Sequence, residues 1–239
     1  IMARRPLRFT VEGGTHNPMA PPFDFLTRVF LPHLHAMGAR IELSLERHGF
    51  ATGGGGRDFY DKEISNRGKL AVTIEPQLTE QLAHLDLTTA GPITSRHAIS
   101  LIARLPTHVA TRELEIVQQR LGFAALECEV REVSGGPANL VERGGMRELV
   151  TVHGEKGLRA EVVAQRACDE LSAYLDADVP VGEHLADQLL PPMALAGGGK
   201  FRCATPSLHA TTNIDTIGQF LAVPISVEPE GATATISIG

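Results

Sequence analysis

Runs in which apolar and polar residues alternate divide the first third of this sequence into predicted strands. Residues 7–11, 41–47 and 70–75 alternate with the period of two that a half-buried strand shows. Between the first two runs, the apolar residues of 24–37 recur at helical spacing, and Gly38 follows them as a candidate helix stop. The predicted order is therefore strand, helix, strand and strand.

The middle of the chain contains a second set of predicted elements with apolar faces of its own. Strands are predicted over 99–105, 126–133 and 148–152, the last of them after a loop rich in Gly, Pro and Asn. Helices are predicted over 107–121, with Thr107 as the candidate cap, and over 158–175. We expect this β-α-β-β-α block to form a compact module.

The stretch 181–220 begins with an amphipathic helix. His184, Asp187 and Gln188 are spaced at i, i+3 and i+4, so a helix places all three on one face. Three leucines point to the other side, into a core: Leu185, Leu189 and Leu190. After a glycine triplet, strands are predicted over 201–204, 225–228 and 232–238.

His209 lies in a cluster of small polar residues, and the pattern leaves two interpretations open. In one, Thr211, Thr212 or Asn213 caps a helix over 214–221, and His209 is a bystander. In the other, His209 is a reactive imidazole whose second nitrogen is oriented by a neighbour, as a nucleophilic histidine requires. The residue pattern alone favours the capping interpretation, because histidine is common near helix caps.

Composition and charge restrict the function classes. The net charge of −6 argues against a broadly basic nucleic-acid-binding protein, although a local Arg/Lys pocket can still hold one nucleic-acid end. Aromatic residues make up only 5%, so base-stacking platforms are not indicated. Three widely spaced cysteines favour free thiols in a reducing compartment. With no apolar run near the roughly 20 residues that span a bilayer and no signal-peptide pattern, we expect a cytoplasmic protein without membrane contact.

Three ordered motifs, spread over most of the chain, resemble signatures of the RNA 3'-terminal phosphate cyclases. The C-terminal signature reads Gly-Glu-His-Leu-Ala-Asp-Gln at 182–188, Pro-Met-Ala-Leu-Ala-Gly at 192–197 and Ser-Leu-His-Ala-Thr-Thr-Asn at 207–213. Near the start, 13–22 reads Gly-Gly-Thr-His-Asn-Pro-Met-Ala-Pro-Pro, and Arg-His-Gly-Phe at 47–50 runs into a series of glycines.

The resemblance implies an α+β fold of repeated βαβαββ units, similar to cyclases and enolpyruvyl transferases, with a small α/β domain inserted. Residues 1–85 and 177–239 then form the larger catalytic domain, and 86–176 form the inserted domain. The polar stretch 57–68 resembles an extra loop relative to the family. The family's opening glycine-rich motif has no counterpart here, so about one repeat unit is expected to come from a longer product or from a partner chain.

For activity, the resemblance implies ATP-dependent conversion of an RNA 3'-terminal phosphate to a 2',3'-cyclic phosphate. His209 is then the nucleophile that attacks the α-phosphate of ATP and carries AMP as a phosphoramidate. AMP passes to the RNA 3'-phosphate end, the adjacent 2'-OH closes the ring, and AMP and pyrophosphate are released. Imidazole suits this role because it is neutral and nucleophilic at about pH 7 and leaves readily once the adduct is protonated.

The resemblance also implies the residues that bind ATP. His184 replaces the family's usual aromatic residue on adenine, and imidazole also stacks on bases. Pro21 covers the other face of the base, with Phe25 beside it. Asp187 and Gln188 match the nucleotide-contacting pair, although without the resemblance both fit a solvated helix face. Phosphoryl chemistry implies a divalent cation, Mg²⁺ or Mn²⁺, bound with the ATP phosphates, and its protein ligands are not assigned.

Two other functions are weighed against the enzyme. A catalytically weak or silent cyclase-like RNA-binding or assembly protein is known in this superfamily where the histidine is lost, so the presence of His209 favours the enzyme. An enolpyruvyl-type transferase needs a higher density of Arg and Lys for its polyanionic substrates. For His16 and His48, loop packing is at least as strong an interpretation as chemistry. Without the first repeat unit, we expect slow adenylylation and an exposed apolar face that favours self-association.

Overall fold

The computed structural model of the chain describes residues 5–18, 20–50, 67–93, 95–133, 138–145, 148–155 and 157–239, with side chains for all of these except 138–145. The glycine run 53–56 and most of the polar stretch 57–68 lie outside the described residues. Within the described part, the strands form three sheets.

The first sheet is built from the N-terminal strands. β1 (Leu7–Gly13) and β2 (Arg40–Arg47) both pair antiparallel with β3 (Gly68–Glu75), so the strand order is β1-β3-β2. All three strands occur where alternation predicts them, with ends that differ by one or a few residues.

Helix α1 connects β1 to β2 and changes its hydrogen-bond pattern part-way. It runs as an α-helix over Phe23–Phe25, as a π-helix over Leu26–Phe30 and again as an α-helix over Leu31–Ala36. Pro32 has no backbone N–H for an α-helical bond, and the wider π turn lies directly before it. Gly38 follows with φ +94°, which glycine adopts without strain, so the predicted helix stop is confirmed.

One face of the first sheet is apolar on all three strands. The register places Leu7, Phe9 and Val11 of β1 opposite Ile74, Val72 and Leu70 of β3. On β1, at one edge of the sheet, these three side chains are 43%, 46% and 48% exposed. Ile41 of β2, in contrast, is buried in the core that includes α1. The open edge is compatible with the expected self-association, which stays a prediction.

After the short strand β4 (Leu85–Leu87), the chain forms a four-stranded sheet with two helices. The strand order is β6-β5-β7-β8, from β5 (His97–Ala103), β6 (Cys128–Glu132), β7 (Ala138–Gly145) and β8 (Glu148–His153). The helices α2 (Thr107–Leu121) and α3 (Ala160–Ala177) pack on each other and on this sheet.

Two expectations for this part of the chain are wrong. The predicted loop before β8 contains strand β7, because its backbone pairs with β5 on one side and with β8 on the other. Its Gly- and Asn-containing sequence carries no clear strand pattern, so long-range pairing decides the conformation. Thr107 is not the cap of α2: Pro106 holds the N-cap position with φ −63°, and Thr107 is the first helical residue.

The third sheet combines β4 with the C-terminal strands. Its order is β10-β11-β9-β4, from β9 (Gly199–Ala204), β10 (Ile225–Glu230) and β11 (Thr233–Ile238). Helices α4 (Glu183–Ala196) and α5 (Leu208–Phe220) flank β9 in the sequence and pack against each other.

One large hydrophobic cluster joins these parts of the chain. It contains Phe25 of α1, Leu149 of β8, Leu185 of α4, Phe201 of β9 and Ile236 of β11. The mixed helix and sheet content confirms the α+β class, whereas the repeated βαβαββ organisation and the domain limits stay predictions. In the described ranges, no helix combines the length and apolar character needed to cross a membrane.

Candidate functional site

Helix α4 exposes the polar face and buries the apolar face that its sequence predicts. Its three leucines are 0% exposed: Leu185, Leu189 and Leu190. On the other side, His184 is exposed, and Asp187 and Gln188 are half-buried. The predicted amphipathic helix is therefore confirmed, and its polar side is open to solvent at His184.

Two consecutive prolines, Pro191 and Pro192, interrupt the backbone hydrogen bonds of α4. Pro191 has no N–H, so the carbonyl of Asp187, four residues earlier, receives no helical hydrogen bond. Asn213 of α5 supplies the missing donor, with its Nδ2 at 3.1 Å from the carbonyl oxygen of Asp187. A feature of the α4 sequence thus creates an attachment point for α5.

The side chain of Asp187 takes part in the same contact. Asn213 Nδ2 lies 3.1 Å from Oδ1 of Asp187, and Gln188 Nε2 donates to Oδ2 at 3.3 Å. Both carboxylate oxygens and the carbonyl of Asp187 are therefore engaged. We call the contact between Asn213 and Asp187 the interhelix clamp, because it fixes the orientation of α5 on the polar face of α4.

The start of α5 differs from the prediction. Ser207 caps the helix, and its Oγ accepts a hydrogen bond from the backbone N of Ala210 at 3.3 Å. The assignment of the cap to Thr211, Thr212 or Asn213 is therefore wrong, since all three residues lie inside the helix. Asn213 acts instead between helices, in the interhelix clamp.

His209 lies in the first turn of α5, one helical turn before Asn213. Residues four apart share a face of a helix, so the nucleophile candidate and the clamp residue are neighbours on α5. The imidazole is exposed, and it has no side-chain partner among the described residues. A helix N-terminus offers free N–H groups and a favourable dipole to an anion, so a phosphate group is well placed beside His209.

His184 faces helix α3 without being enclosed by it. Its Nε2 lies 3.8 Å from Oε1 of Glu170, and the two side chains are 68% and 46% exposed. Burial, together with the nearby charge of Glu183, raises the pKa of Glu170, while His184 counteracts this shift. The imidazole therefore keeps an open surface on which a planar ligand can stack.

Glu148 of β8 contacts the N-terminal end of α4. It is buried, and its Oε1 accepts a hydrogen bond from the backbone N of Leu149 at 2.9 Å. A Cβ atom at Gly182, the N-cap of α4, would collide with Oε2 of Glu148, so a larger residue there would displace the Glu148 side chain. Burial raises the pKa of Glu148 from its ordinary 4.5 to about 8, and the charge of Glu170 adds to the increase.

The raised pKa of Glu148 predicts that the folded state loses stability as the pH increases. The folded chain holds a proton that the unfolded chain has lost, so the contribution of Glu148 is complete below about pH 4.5 and disappears as the pH approaches about 8. The slope reaches about 1.4 kcal/mol per pH unit. We expect Glu148→Gln to have a higher melting temperature than the wild-type protein. The difference should grow between about pH 5 and pH 8, roughly the interval between the ordinary and the raised pKa of Glu148. A margin independent of pH would contradict the raised pKa.

Pro21 and Phe25 occupy different environments. Pro21 is half-buried and lies just before α1. Phe25 is only 2% exposed, within the cluster that also contains Leu185 and Leu189 of α4. Contact between Phe25 and a bound base would require its ring to leave the core. In this structure Phe25 ties the segment that carries Pro21 to the same core as α4.

The motifs at 13–22 and 47–50 are in contact. The carbonyl oxygen of Gly49 accepts hydrogen bonds from the backbone N of Thr15 at 2.8 Å and of His16 at 3.0 Å. The rings of His16 and His48 stack with centroids 5.2 Å apart, and Phe50 lies 5.3 Å from His16. These contacts agree with the packing interpretation of His16 and His48.

The arrangement suits transfer of a phosphoryl-linked group to a histidine. An exposed imidazole lies at a helix N-terminus, and the interhelix clamp holds that helix on a polar surface with an accessible second imidazole. Among the residues that the structure describes, no three His, Cys, Asp or Glu side chains are placed to hold a metal ion.

One protein-family model matches nearly the whole length of the chain. The family model described as RNA 3'-terminal phosphate cyclase matches residues 1–227. The chain belongs to the RNA 3'-terminal phosphate cyclase family. The resemblance inferred from the three motifs is thereby confirmed.

Curated relatives named RNA 3'-terminal phosphate cyclase match most of the chain. The protein from Koribacter versatilis is 38% identical over 244 aligned residues, which cover 100% of this chain and 65% of the relative. The protein from Ectopseudomonas mendocina is 43% identical over 231 residues, covering 94% and 63%. That from Pseudomonas fluorescens is 42% identical over 235 residues, covering 96% and 64%. The chain thus spans less than two thirds of the length of these cyclases.

Two features of the candidate site were not anticipated from the sequence, the interhelix clamp and the two glutamates that approach α4. The interhelix clamp has a sequence signal, since Pro191 stands four residues after Asp187 and leaves its carbonyl without a donor. Glu148 of β8 lies against Gly182, and Glu170 of α3 lies near His184, and nothing in the sequence places either glutamate beside α4. The predicted site residues His184, Asp187, Gln188 and His209 lie on two packed helices, while Pro21 is linked to them only through the core.

Proposed function

We propose that this chain carries the adenylylation site of an ATP-dependent RNA 3'-terminal phosphate cyclase. The observation that carries the proposal is the interhelix clamp, which orients the helix of His209 on the polar face that contains His184, Asp187 and Gln188. Membership of the cyclase family supports the substrate class. The proposed overall reaction converts an RNA 3'-phosphate end to a 2',3'-cyclic phosphate and releases AMP and pyrophosphate.

In the proposed first step, a ring nitrogen of His209 attacks the α-phosphorus of ATP. The bond from this phosphorus to the bridging oxygen breaks, and pyrophosphate leaves. The exposed position of His209 allows such an approach, and the N-terminal turn of α5 favours the anionic phosphate. A divalent cation, Mg²⁺ or Mn²⁺, bound with the nucleotide neutralises the charge on its phosphates.

In the proposed later steps, AMP moves from the protein to the RNA. An oxygen of the RNA 3'-phosphate attacks the phosphorus of the adduct, and the protonated imidazole leaves. The adjacent 2'-oxygen then attacks the 3'-phosphorus, loses its proton and displaces AMP. The histidine is regenerated, so the reaction needs no further reactant.

For adenine, we propose stacking between His184 and Pro21, with Asp187 and Gln188 on the nucleotide from the same helix face. We expect His184→Ala to weaken ATP binding by about 1–3 kcal/mol, the range for loss of one base-stacking partner. His184→Tyr keeps a planar ring and should retain or tighten binding. Calorimetric titration with ATP measures both variants, and an unchanged dissociation constant in His184→Ala would remove His184 from the adenine site.

The proposed reaction is tested with matched RNA ends. With ATP and Mg²⁺, an oligonucleotide ending in a 3'-phosphate should gain resistance to phosphatase as its end cyclises. The same oligonucleotide with a terminal 2'-deoxyribose lacks the attacking hydroxyl, so it should accept AMP without forming a ring. RNA binding with neither product would instead favour a silent, cyclase-like RNA-binding protein.

A further inference from the structure

A buried pair, His16 and Asp24, closes the base of the segment that carries Pro21. His16 precedes this segment and Asp24 follows it, and His16 Nε2 lies 3.6 Å from Oδ2 of Asp24. The backbone N of Phe23 also donates to the carbonyl oxygen of Thr15 at 3.2 Å. The chain therefore enters and leaves this segment at two adjacent contacts.

The two ring nitrogens of His16 have different neighbours, Thr15 at Nδ1 and Asp24 at Nε2. The backbone N of Gly49 donates to Oγ1 of Thr15 at 2.9 Å, and the hydroxyl has two acceptors within reach, the carbonyl oxygen of Gly49 at 3.3 Å and Nδ1 of His16. Nδ1 is the nearer acceptor, 2.9 Å from Oγ1, and in the tautomer that accepts there the imidazole proton is on Nε2. Nε2 lies 3.6 Å from Oδ2 of Asp24, an ion-pair distance, and it has no hydrogen-bond partner among the described residues although the side chain is 0% exposed.

Asp24 is suited to receive this proton as a charged acceptor. Its second oxygen, Oδ1, lies 3.2 Å from Nε of Arg28, one turn later in α1. Burial alone raises the pKa of Asp24, but the neighbouring His16 and the charge of Arg28 together hold it below its ordinary value. The carboxylate thus links His16 to the helix that starts directly after Pro21 and Pro22.

We propose that His16 is a positioning residue for ATP: through Asp24, it fixes Pro21 at the distance at which Pro21 can cover adenine. This inference rests on the proposed adenylylation function. It differs from a packing role, in which the ring of His16 serves only as a partner for His48 and Phe50. The two roles depend on different atoms of the same imidazole.

Two substitutions of His16 distinguish the positioning role from the packing role. His16→Gln places an amide nitrogen near the position of Nε2, so the contact with Asp24 survives while the aromatic stack is lost. His16→Asn places polar atoms near Nδ1 only, so the contact with Thr15 survives and the contact with Asp24 is lost. Both variants lose the ring, and a simple packing role therefore predicts equal effects. His108→Asn, at an exposed position on α2, is the matched control.

The test is the dependence of His209 labelling on ATP concentration. We expect His16→Asn to raise the KM for ATP about tenfold, which corresponds to about 1.4 kcal/mol, with kcat changed less than about twofold. His16→Gln should recover most of the affinity. Equal increases in KM for both variants, a wild-type KM for His16→Asn, or a loss confined to kcat would each overturn the proposal.

A second readout separates this inference from the proposed function. Hydrogen exchange of the Phe23 amide reports whether the base of the segment is closed, and it requires no enzymatic activity. We expect faster exchange in His16→Asn than in His16→Gln, and equal rates would overturn the link through Asp24. A wild-type protein that takes no label from ATP would instead contradict the proposed function.

Discussion

We expect His209→Asn to abolish transfer of AMP from ATP to the protein, and with it the cyclisation of RNA 3'-phosphate ends. Asparagine keeps a polar group near Nδ1 but has no nucleophilic nitrogen, so the phosphoramidate cannot form. The side chain is exposed and has no described partner, so the stability of the variant should stay within about 0.5 kcal/mol of the wild-type value. Labelling with radioactive ATP, followed by tests of acid lability and alkali stability, measures the adduct.

The matched control is the same substitution at another exposed histidine. His108→Asn, on α2 in the middle sheet, should label at the wild-type rate. If His209→Asn still cyclised RNA at full rate while the control behaved normally, the nucleophile assignment would be wrong. Loss of labelling in both variants would show that the effect is not specific to His209.

The second large effect is expected from the interhelix clamp. Asn213→Ala removes the donor to the carbonyl and carboxylate oxygens of Asp187, which should destabilise the protein by about 1–3 kcal/mol because the carbonyl is left without a partner. It should also slow labelling of His209 by about 100-fold, the factor expected when a reacting group is displaced by about 1 Å. Single-turnover labelling at saturating ATP measures the rate, and denaturant unfolding measures the stability.

Two further variants make the clamp prediction specific. Thr212→Ala changes the neighbouring exposed side chain and should leave both rate and stability close to wild type. Pro191→Ala restores a backbone N–H that can bond to the Asp187 carbonyl, so it should recover part of the stability lost in Asn213→Ala. If Asn213→Ala labelled as fast as Thr212→Ala, the clamp would have no role in positioning His209.

The sequence predicts one half of the site better than the other. The face of α4 with His184, Asp187 and Gln188 follows from spacing alone, because an i, i+3, i+4 pattern opposite buried leucines has one helical solution. The start of α5 does not, because Ser207, Thr211 and Asn213 are all acceptable caps and only packing decides among them. Asn213 donates to Asp187 because Pro191, on another helix, leaves the Asp187 carbonyl without a helical donor. Local capping propensity does not include such a long-range contact.

The same contrast applies to the fold. Strands β1, β2 and β3 alternate clearly, since one face of their sheet is apolar and the other polar. Strand β7 lies between two partners, and its conformation is determined by hydrogen bonds to β5 and β8 rather than by its composition. The contact between 13–22 and 47–50 depends on Gly49, which lies beside Thr15 because β1 and β2 both pair with β3.

The most direct test of the adenylylation site is mass spectrometry of the protein after incubation with ATP and Mg²⁺ or Mn²⁺. Digestion under alkaline conditions preserves a phosphoramidate, so the modified peptide can be sequenced. The proposed mechanism predicts one peptide heavier by a single AMP, with the modification on His209 and none on His16, His48 or His184. An adduct on a different residue, or cyclised RNA with no adduct on the protein at any time, would contradict it.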